Sequence, residues 1–542
     1  MSLMTNTPHP LSLRDNISDQ VADWLHARLG RNANLCADSR RVAAGDGFIA
    51  RTGKTNAVKD HIKEAIARGA AAVVLEADDP SAVLEPISTE VPMIRVGNLG
   101  ARVGMIASAF YGRPSMTMQL IAVTGTNGKS TVTTCVAHLL ARCGIAAAAI
   151  GTLGVGIFPA YCSVNFSPAW DEQLTVGLTT PDAVDLQRLL RDLHARDIRV
   201  VALEASSIGL EQGRLQGCAI KVAAFTNLSH DHLDFHQTMA RYAKAKSLLF
   251  EATSLGAIVI NMQDAYAPVM WNAADPRVER IAVGTAQTEI PVNAHSSLCV
   301  TRAEMQSSGW QLTLEGLGRA KELTGLVHLP VYGGHNIDNA MLVAGILVAM
   351  RIDAVEIQTR ISELVLPPGR MQMVCRDAGP WVCIDYAHSP DALQRILEAL
   401  RPVAQSRGGE LLCIFGCGGD RDSTKRPKMG EIAARHADRI MLTSDNPRFE
   451  SPEAILDAIE SGIPQSLRNK VSRDSDRARA ISQIVLNSQA LDLILIAGKG
   501  HEQTQTIGDQ KIIFSDADHA LNAIDKWLTA HFQLSAAGVV HA

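Results

Sequence analysis

The sequence is poor in aromatic residues and carries little net charge. Phenylalanine, tryptophan and tyrosine make up 4% of its 542 residues, charged residues make up 20%, and the formal net charge is −5. Nucleic-acid-binding proteins usually carry a basic stripe or patch, and this charge balance gives no such signal. We expect no nucleic-acid partner, so an anionic ligand has to be held by a local group of residues.

Long apolar segments are also absent. A membrane-spanning helix needs about 18 or more consecutive apolar residues, but the run at 341–350 stops at Arg351 and the run at 145–158 is interrupted by glycines. The first twenty residues lack the apolar core of a secretory signal peptide. We expect a cytoplasmic protein without membrane insertion.

Closely spaced cysteine pairs are missing as well. The ten cysteines are scattered, no CxxC pair occurs, and Cys413 and Cys417 are the closest two. This distribution disfavours a structural zinc site and a disulfide framework, and it favours free thiols in a reducing compartment.

The residues that are present follow the pattern of a large α/β protein. At about 100 to 200 residues per domain, the length suggests three domains. The segment YGRP at 111–114 and the pair Pro367-Pro368 interrupt the alternation of apolar strands and helical stretches. We predict a small α/β domain at 1–112, a central doubly wound domain at 113–366 and a Rossmann-like α/β domain at 367–542.

The strongest local motif is VTGTNGKSTVTT at 123–134, between an apolar strand and a helical segment that extends to about Cys143. A glycine-rich turn before a helix presents backbone N–H groups to phosphate, and Lys129 adds a cation. Val123 replaces the first glycine of the general P-loop pattern, so a glycine-rich turn with an incidental lysine is the alternative. We expect a phosphate-binding loop in which Ser130 or Thr131 offers a hydroxyl to Mg²⁺.

Further motifs follow in a fixed order. They are LTTPD (178–182), EASSIGLEQGR (204–214), FTNLSHDHLDFH (225–236), YAKAK (242–246), GGHNIDNA (333–340), PGRMQ (368–372), DYAHSPDAL (385–393), GCGGDRD (416–422), DNPR (445–448) and GKGHE (498–502). Together with TGTNGKST, this series resembles the Mur ligase and folylpolyglutamate synthase superfamily from end to end, and the Mur ligases most.

The resemblance implies an ATP-dependent ligase of peptidoglycan-precursor synthesis that acts as a monomer. The first domain would bind a UDP-N-acetylmuramoyl dipeptide, the central P-loop-type domain would bind ATP with two Mg²⁺ ions, and the third domain would choose meso-diaminopimelate. ATP would phosphorylate the glutamyl carboxylate of the dipeptide. An amine would then displace phosphate from the acyl phosphate.

The resemblance also assigns metal-binding roles. Glu204 ends the apolar run VVALE, where a carboxylate would be a hard oxygen ligand for Mg²⁺, although alone it could be an ordinary loop acid. His232 and His236 would fit half of a zinc site, but the resemblance places His232 on a second Mg²⁺ and leaves His236 a structural role. Ser130 and Lys246 complete the implied metal set.

Lys246 ends the YxxxK pattern, whose lysine is carbamylated by CO₂ in Mur ligases. Carbamylation requires a neutral amine, so we expect burial or a neighbouring cation to lower its pKa. From the sequence alone, an exposed and solvated lysine is the usual alternative. Lys244 is the competing candidate and would lie on another face of the helix.

For ATP, the resemblance implies contacts from the glycine loop and from four later segments. Asn336 and Asn339 would reach the base, although they could also cap a helix. Arg370 would reach the phosphates, although it could form a buried salt bridge. The complete implied set is Gly125, Thr126, Asn127, Gly128, Lys129, Ser130, Thr131, Asn336, Asn339, Arg370, Asp385 and His388.

The third domain carries the implied amino-acid site. Arg421 stands where the dinucleotide fingerprint GxGxxG needs its last glycine, so that fingerprint fails. Read locally, DNPR is a turn in which Pro447 opens a helix, whereas in Mur ligases it selects the amino acid. Arg448 would bind the carboxylate that distinguishes meso-diaminopimelate from lysine. The other implied contacts are Arg421, Asp445, Asn446, Gly498 and Glu502.

For the UDP-linked substrate, Asp38-Ser39-Arg40 followed by GDGFIA resembles the family's uridine-binding segment, with Ser39 as a contact. The family's Asp-Gly-His cluster is replaced here by TNAVKDHI at 55–62. Ile208 stands where a histidine is usual. The implied contacts to the muramoyl peptide are Thr179, Thr180, Ser206, Gln212 and Arg214.

Two other functions stay open. A folate-polyglutamylating or lysine-adding ligase would share the phosphate loop and Arg370, but DNPR and the Asp38 segment disfavour it. A regulatory ATPase without ligase activity would not need the strand-end motifs of the third domain.

Overall fold

The computed structural model describes residues 11–50, 58–77, 85–87, 90–171, 178–306, 308–376 and 378–538. Within these residues the chain forms two compact units. The first unit comprises Met1–Ala303, Leu312–His328 and Asp338–Leu364, and the second comprises Glu304–Gln311, Leu329–Ile337 and Val365–Ala542.

The first sheet of the first unit has five strands: β1 (Leu35–Cys36), β2 (Gly47–Ala50), β3 (Ala72–Glu76), β4 (Glu85–Ile87) and β5 (Met93–Val96). Their order is β1-β2-β3-β5-β4, and β4 is antiparallel to its neighbour. The helices of this region are α1 (Asn16–His26), α2 (Val58–Ala67) and α3 (Val103–Phe110).

The larger sheet has ten strands: β6 (Gln119–Thr124), β7 (Ala147–Gly151), β8 (Gly154–Phe158), β9 (Val200–Glu204), β10 (Ile220–Phe225), β11 (Ala257–Asn261), β12 (Glu279–Thr285), β13 (Ser296–Gln306), β14 (Gly309–Leu317) and β15 (Gly325–Leu329). Their order is β15-β14-β13-β12-β11-β10-β6-β9-β7-β8. Strands β7, β9, β6, β10, β11, β12 and β13 pair in parallel. The central strands are apolar runs with almost every residue buried, because helices cover both faces of the sheet.

Eight helices accompany the larger sheet in the described part of the chain. They are α4 (Lys129–Arg142), α5 (Ala183–Ala195), α6 (Ser207–Glu211), α7 (Leu233–His236), α8 (Met239–Ser247), α9 (Ala267–Ala273), α10 (Gly334–Ala349) and α11 (Ala354–Ile361).

The second unit contains a six-stranded sheet: β16 (Gln372–Val374), β17 (Trp381–Asp385), β18 (Leu411–Phe415), β19 (Arg439–Leu442), β20 (Val471–Arg473) and β21 (Leu493–Ala497). The order is β16-β17-β21-β18-β19-β20, and only β16 is antiparallel among these strands. Strands β22 (Thr504–Ile507) and β23 (Gln510–Ile513) form a separate pair. The helices are α12 (Pro390–Arg407), α13 (Lys425–His436), α14 (Pro452–Glu460), α15 (Arg477–Leu486) and α16 (Asp516–Gly538).

The predicted α/β class with mainly parallel sheets is confirmed, and the apolar runs WVCIDYA, LLCIFGC, RIMLTSD and DLILIAG of the predicted third domain contain β17, β18, β19 and β21. One local interpretation is wrong. Helix α14 begins at Pro452 and not at Pro447, because Arg448 has a left-handed backbone with φ of 50° that no right-handed helix accommodates. Among the described residues, no helix is both long enough and apolar enough to cross a membrane.

Candidate active site

The glycine loop lies between the end of β6 at Thr124 and the start of α4 at Lys129. Gly125 and Gly128 have φ values of 150° and 85°, which side-chain-bearing residues rarely adopt. A Cβ atom on Gly125 would lie 1.8 Å from Thr226 Oγ1, and one on Gly128 would lie 2.4 Å from Asn339 Oδ1. Both glycines are therefore required by conformation and by space.

The segment after β10 holds this loop in place. Thr126 N–H donates to the carbonyl oxygen of Asn227 at 2.8 Å, and Asn127 N–H donates to Asn227 Oδ1 at 3.0 Å. The hydroxyl of Thr226 donates to the carbonyl oxygen of Asn127 at 2.6 Å, and Ser229 N–H donates to Thr126 Oγ1 at 3.0 Å. The motif FTNLSH thus acts as a brace for the phosphate loop, a role that the sequence analysis did not assign.

Two lysines meet at the carbonyl oxygen of Gly125. Lys129 Nζ donates to it at 3.0 Å and to the carbonyl oxygen of Thr126 at 2.8 Å, while Lys246 Nζ donates to it at 2.8 Å. Lys246 is 1% exposed and its Nζ lies 4.5 Å from the centre of the Tyr242 ring. Burial, and next the charge of Lys129, hold the pKa of Lys246 well below its usual range. The structure thus supplies the poorly ionised amine that carbamylation needs.

Lys244, the competing lysine, is in a different environment. Its side chain is exposed and forms an ion pair with Glu251 at 2.5 Å. Because Lys246 is buried and Lys244 is exposed, Lys246 is the better candidate.

Glu204 lies at the tip of β9 and is 2% exposed. Its carboxylate accepts hydrogen bonds from Thr152 N–H at 2.9 Å and from the Thr152 hydroxyl at 3.2 Å. A Cβ atom on Gly151 would lie 2.1 Å from Glu204 Oε1, so the strand beside it has to carry a glycine there. The alternative of a solvated loop acid is wrong, because the carboxylate is buried in a prepared hydrogen-bonding site.

The residues expected to hold the muramoyl peptide lie together around Thr180. The Thr180 hydroxyl donates to the carbonyl oxygen of Glu204 at 2.7 Å and lies 3.1 Å from Ser206 Oγ. Arg214 donates to the carbonyl oxygen of Thr180 at 2.8 Å and to Gln212 Oε1 at 2.7 Å. Thr179 joins the group through the Thr152 hydroxyl at 3.3 Å.

The two histidines of HLDFH do not point to one metal. His232 is exposed, has a left-handed backbone and faces Asp231 at 3.6 Å. His236 is buried, with Nε2 2.8 Å from Ser207 Oγ and its ring stacked on Tyr242 at 4.9 Å. The zinc alternative is therefore wrong, and His236 has a structural environment.

Magnesium fits the donor set of this region. In the part of the chain that the structure describes, no group of three His, Cys, Asp or Glu side chains could hold a metal. Glu204 and Ser130, however, offer the hard oxygen atoms that Mg²⁺ prefers. A divalent cation here would complete its coordination with phosphate oxygens and water.

The two asparagines of GGHNIDNA lie inside α10, which begins at Gly334, so neither precedes the helix as an N-cap residue does. Asn339 is buried and lies against Gly128 of the phosphate loop. In the second unit, Asn336 Nδ2 donates to the carbonyl oxygen of Tyr332 at 2.9 Å.

In the second unit, Asp385 ends β17 and anchors two neighbouring turns. Its carboxylate accepts hydrogen bonds from Met371 N–H and Ala387 N–H, both at 2.8 Å. Burial raises the pKa of this carboxyl group, and the charge of Arg370 opposes the rise. Arg370 lies over the Tyr386 ring at 5.0 Å, and the exposed His388 accepts a hydrogen bond from Lys425 on its carbonyl oxygen.

The DNPR segment follows β19 and lies beside the GKGHE segment, which follows β21. Arg448 Nη1 donates to the carbonyl oxygen of Gly419 at 2.8 Å. The backbone N–H of Arg448 donates to the carbonyl oxygen of Thr506. Asn446 Nδ2 donates to Glu502 Oε2 at 2.9 Å. A positive φ on an arginine is an energetic cost that binding sites often carry.

The remaining residues of the expected amino-acid site surround this pair. Asp445 is buried, which raises the pKa of its carboxyl group, while Arg477 and Lys499 oppose the rise. Gly498 has a φ of 112°, and a Cβ atom there would lie 3.3 Å from Asp445 Oδ2. Arg421 is exposed on the loop after β18.

Ser39 lines a cavity of about 370 Å³ in the first unit. Its hydroxyl donates to Glu64 Oε2 at 2.7 Å, and Phe48 and His61 contribute to the same wall. Residues 55–57 of the divergent TNAVKDHI segment lie outside the described residues.

Some residues of these sites carried no recognisable signal in the sequence. Thr152 binds Glu204, but it belongs to no motif. Lys499 lies inside GKGHE, but the sequence assigned it no role. Arg477 lies in no motif, yet its guanidinium donates to the carbonyl oxygens of Ser444 and Ala497, which directly precede the DNPR and GKGHE segments.

Three features define the class of ATP-dependent carboxylate–amine ligases here. They are a phosphate loop at the end of a strand, a buried carboxylate beside it, and a second doubly wound sheet with cationic and acidic motifs at its strand ends. Two family profiles agree: "Mur ligase middle domain" matches residues 123–347 and "Mur ligase, glutamate ligase domain" matches residues 369–500. The chain belongs to the Mur ligase family.

Within that family, the curated relatives share one name. The chain is 40% identical to the UDP-N-acetylmuramoyl-L-alanyl-D-glutamate–2,6-diaminopimelate ligase of Janthinobacterium sp. (strain Marseille), over 93% of this chain and 96% of the relative. It is 38% identical to the enzyme of the same name from Ralstonia nicotianae, over 96% and 98% of the two chains. A solved structure of a ligase of that name superposes with a TM-score of 0.63 at 32% identity, over 91% of this chain and 94% of that one.

Proposed function

We propose that the protein joins meso-diaminopimelate to the D-glutamyl carboxylate of UDP-N-acetylmuramoyl-L-alanyl-D-glutamate, with hydrolysis of ATP to ADP and phosphate. The observation that carries this proposal is the setting of Arg448. Its guanidinium is fixed on the carbonyl oxygen of Gly419, beside the hydrogen-bonded pair of Asn446 and Glu502. A planar cation beside the Asn446 amide and the Glu502 carboxylate suits an amino acid that has a second carboxylate.

The first step activates a poor electrophile. A carboxylate does not react with an amine at neutral pH because an oxide is a poor leaving group, so an oxygen of the glutamyl carboxylate attacks the γ-phosphorus of ATP and ADP departs. The backbone N–H groups at the start of α4 and the Lys129 ammonium neutralise charge on the transferred phosphoryl group. Mg²⁺, held by Ser130, Glu204, His232 and a carbamylated Lys246, would supply further neutralisation of phosphate charge.

The second step forms the amide. The amine of meso-diaminopimelate, after losing its proton, attacks the carbonyl carbon of the acyl phosphate, and the tetrahedral intermediate collapses with departure of phosphate. The residues of the DNPR and GKGHE segments orient this amine by holding the other end of the amino acid.

The remaining groups bind the other substrates. The Thr180-centred group (Thr179, Thr180, Ser206, Gln212 and Arg214) holds the muramoyl peptide, and Ser39 contacts the uridine part. Asn336, Asn339, Arg370, Asp385 and His388 bind ATP. We further propose that the protein acts in the cytoplasm as a monomer, as the sequence analysis expects.

Phosphate release by the purified protein tests the proposal. With ATP and the UDP-linked dipeptide, meso-diaminopimelate should start turnover, while lysine or no amino acid should not. Lys129→Ala should lower turnover about 100- to 1,000-fold, because one fixed donor to a developing charge is worth about that much. Turnover with lysine instead would favour a lysine-adding ligase, and phosphate release without any amino acid would favour a regulatory ATPase.

Arg448 provides the specificity test. Arg448→Ala should lower kcat/KM for meso-diaminopimelate by about 10- to 100-fold, which is the loss of a charge-assisted hydrogen bond of about 1.5–3 kcal/mol. Arg435→Ala is the matched control, because Arg435 lies in the same unit and its exposed side chain pairs with Glu431 one turn earlier on α13. An unchanged preference between meso-diaminopimelate and lysine in Arg448→Ala would remove the basis for the assigned amino acid.

A further inference from the structure

Lys499 is a fully buried lysine in the GKGHE segment. Its side chain is 0% exposed, yet its Nζ lies 2.8 Å from Glu502 Oε2 and 3.1 Å from Asn446 Oδ1. The carboxylate of Asp445 is 3.8 Å away. Buried lysines are rare unless paired, so this ammonium is held by the residues expected to contact the amino acid.

Lys499 and the Thr506 N–H together fix which way the Asn446 amide points. Asn446 Oδ1 accepts from Lys499 Nζ at 3.1 Å and from Thr506 N–H at 2.9 Å, while Nδ2 donates to Glu502 Oε2. A flipped amide would turn its N–H groups toward two donors, so the observed orientation is the only satisfied one. Asn446 can then offer a ligand only an N–H, which suits a carboxylate oxygen.

Lys499 also makes the two oxygen atoms of the Glu502 carboxylate inequivalent. Oε2 accepts from both Lys499 and Asn446. Among the described residues no donor is bonded to Oε1, and the side chain is 30% exposed. Oε1 is therefore the oxygen that can accept a hydrogen bond from a ligand ammonium.

A second buried cation, Arg477, links the DNPR and GKGHE segments. Arg477 is fully buried and binds Asp516 through two hydrogen bonds at 2.7 and 2.8 Å. It also donates to the carbonyl oxygens of Ser444 and Ala497, the residues just before Asp445 and Gly498. Asp516 forms the ion pair with Arg477, and the charge of Arg477 also opposes the rise in the pKa of Asp445.

The local charge balance favours an ammonium ligand. Lys499 is the cation bonded to Glu502, and Asp445 lies within 4 Å of the same ammonium. Asp445 Oδ1 is buried and accepts no hydrogen bond within the described part of the chain. One negative charge is left over when both acids are ionised, and a ligand ammonium would compensate it.

We propose that Lys499 is a positioning residue that fixes Asn446 as the donor to a carboxylate, and Glu502 as the acceptor for an ammonium, of the incoming amino acid. This proposal rests on the proposed function, because it presupposes an amino-acid substrate at this site. Lys499 itself is enclosed and does not touch the substrate.

The test compares Lys499→Met and Lys499→Arg with the wild type in steady-state phosphate release. Lys499→Met should raise KM for meso-diaminopimelate at least about tenfold, as expected for a misplaced charge-assisted contact, and leave KM for ATP and for the UDP-linked dipeptide within about twofold. Lys499→Arg keeps the charge and should give a smaller rise. Lys470→Met is the matched control, because Lys470 donates to the carbonyl oxygens of Ala434 and Ala437 away from this cluster.

A double-mutant cycle separates positioning from a merely structural role. If Lys499 acts through Asn446 and Glu502, the effect of Lys499→Met on KM for meso-diaminopimelate should be clearly smaller in an Asn446→Ala background, where only the contact to Glu502 is left. An equal effect in both backgrounds, or an equal rise of all three KM values, would overturn the proposal. If Lys499→Met does not fold, the KM comparison and the cycle are made with Lys499→Arg, with the same readouts.

The wild-type result distinguishes the two proposals. If the wild type uses lysine instead of meso-diaminopimelate, the proposed function fails, and the positioning role is judged on KM for lysine, which has the same α-ammonium and α-carboxylate. If the wild type uses no amino acid, both proposals fail. If it uses meso-diaminopimelate and Lys499→Met leaves that KM unchanged, only the positioning role fails.

Discussion

Lys246 shows how a single residue can lower stability for the sake of chemistry. It is 1% exposed, donates to one carbonyl oxygen and lies near the charge of Lys129. Burial makes its charged form unfavourable, so the folded protein holds it more readily as an amine. The residue therefore carries a stability cost that depends on pH.

We predict that Lys246→Met is more stable than the wild type in buffer free of carbon dioxide and has lost turnover. Between the lowered folded-state pKa of Lys246 and its ordinary value of 10.5, the unfolded chain binds one proton more than the folded protein. The free energy of unfolding of the wild type therefore rises with pH across this window. The advantage of methionine should be largest near neutral pH and should shrink toward pH 10.5.

Thermal unfolding at about pH 7 and about pH 10 would measure this difference. Lys244→Met is the control, since Lys244 is exposed two residues earlier on the same helix and pairs with Glu251. A gain in stability that is the same at both pH values would show that the burial of a charge is not its cause.

Roles that depend on local pattern could be predicted at the residue scale, and roles that depend on distant neighbours could not. Lys129, Glu204 and Lys246 were assigned from motifs, and their roles stay predictions, although the structure buries Glu204 and Lys246 and places Lys129 at the start of α4. Lys499 stayed without a role because its partner Asn446 is more than fifty residues away along the chain. No spacing rule in a single sequence brings such segments together.

The phosphate loop is the element whose conformation limits its sequence most strictly. Its glycines adopt backbone angles that cost other residues about 1–2 kcal/mol, and their missing Cβ atoms leave room for Thr226 and Asn339. The loop is thus shaped both by its own backbone and by two neighbouring segments.

We predict that Gly128→Ala abolishes ATP-dependent turnover, whereas Gly112→Ala does not. Both glycines have positive φ values, 85° and 76°, so both substitutions carry similar backbone strain. A Cβ atom on Gly112 meets nothing within 4 Å, but one on Gly128 meets Asn339 Oδ1 at 2.4 Å. Calorimetric titration with ATP should show binding to Gly112→Ala and none to Gly128→Ala.

Equal loss of ATP binding in both variants would mean that strain alone matters and that the close approach of Asn339 does not. Loss of binding in Gly128→Ala alone would show that the close approach of Asn339 decides the outcome.

At the scale of elements, long apolar runs were predictable and short polar ones were not. The runs that became β17, β18, β19 and β21 are buried on both faces, so their composition identified them. The edge strand β20 is only Val471–Arg473 and largely exposed, so composition gave no signal. The helix expected at Pro447 failed because Arg448 needs a left-handed backbone, which a single sequence does not disclose.

At the scale of the whole molecule, the two kinds of chemistry are carried by different compact units. The glycine loop, Glu204 and Lys246 belong to the first unit, while Arg448, Asn446 and Glu502 belong to the second. The two units have separate buried apolar cores. Chains of this kind commonly depart from two-state unfolding.

We predict that scanning calorimetry resolves two unfolding transitions that respond to different ligands. A ligand stabilises the unit that binds it by RT ln(1 + [L]/Kd), or about 2.7 kcal/mol at one hundred times Kd. A non-hydrolysable ATP analogue should therefore raise the transition of the first unit, which holds the glycine loop, more than that of the second, which holds Arg370 and Asp385, and Gly128→Ala should remove the larger shift. Meso-diaminopimelate should raise the other transition in the wild type and fail to do so in Arg448→Ala. A single transition that moves equally with both ligands would show that the two units unfold together. Thermal stability would then not assign the two binding sites to separate units, and binding would have to be measured directly.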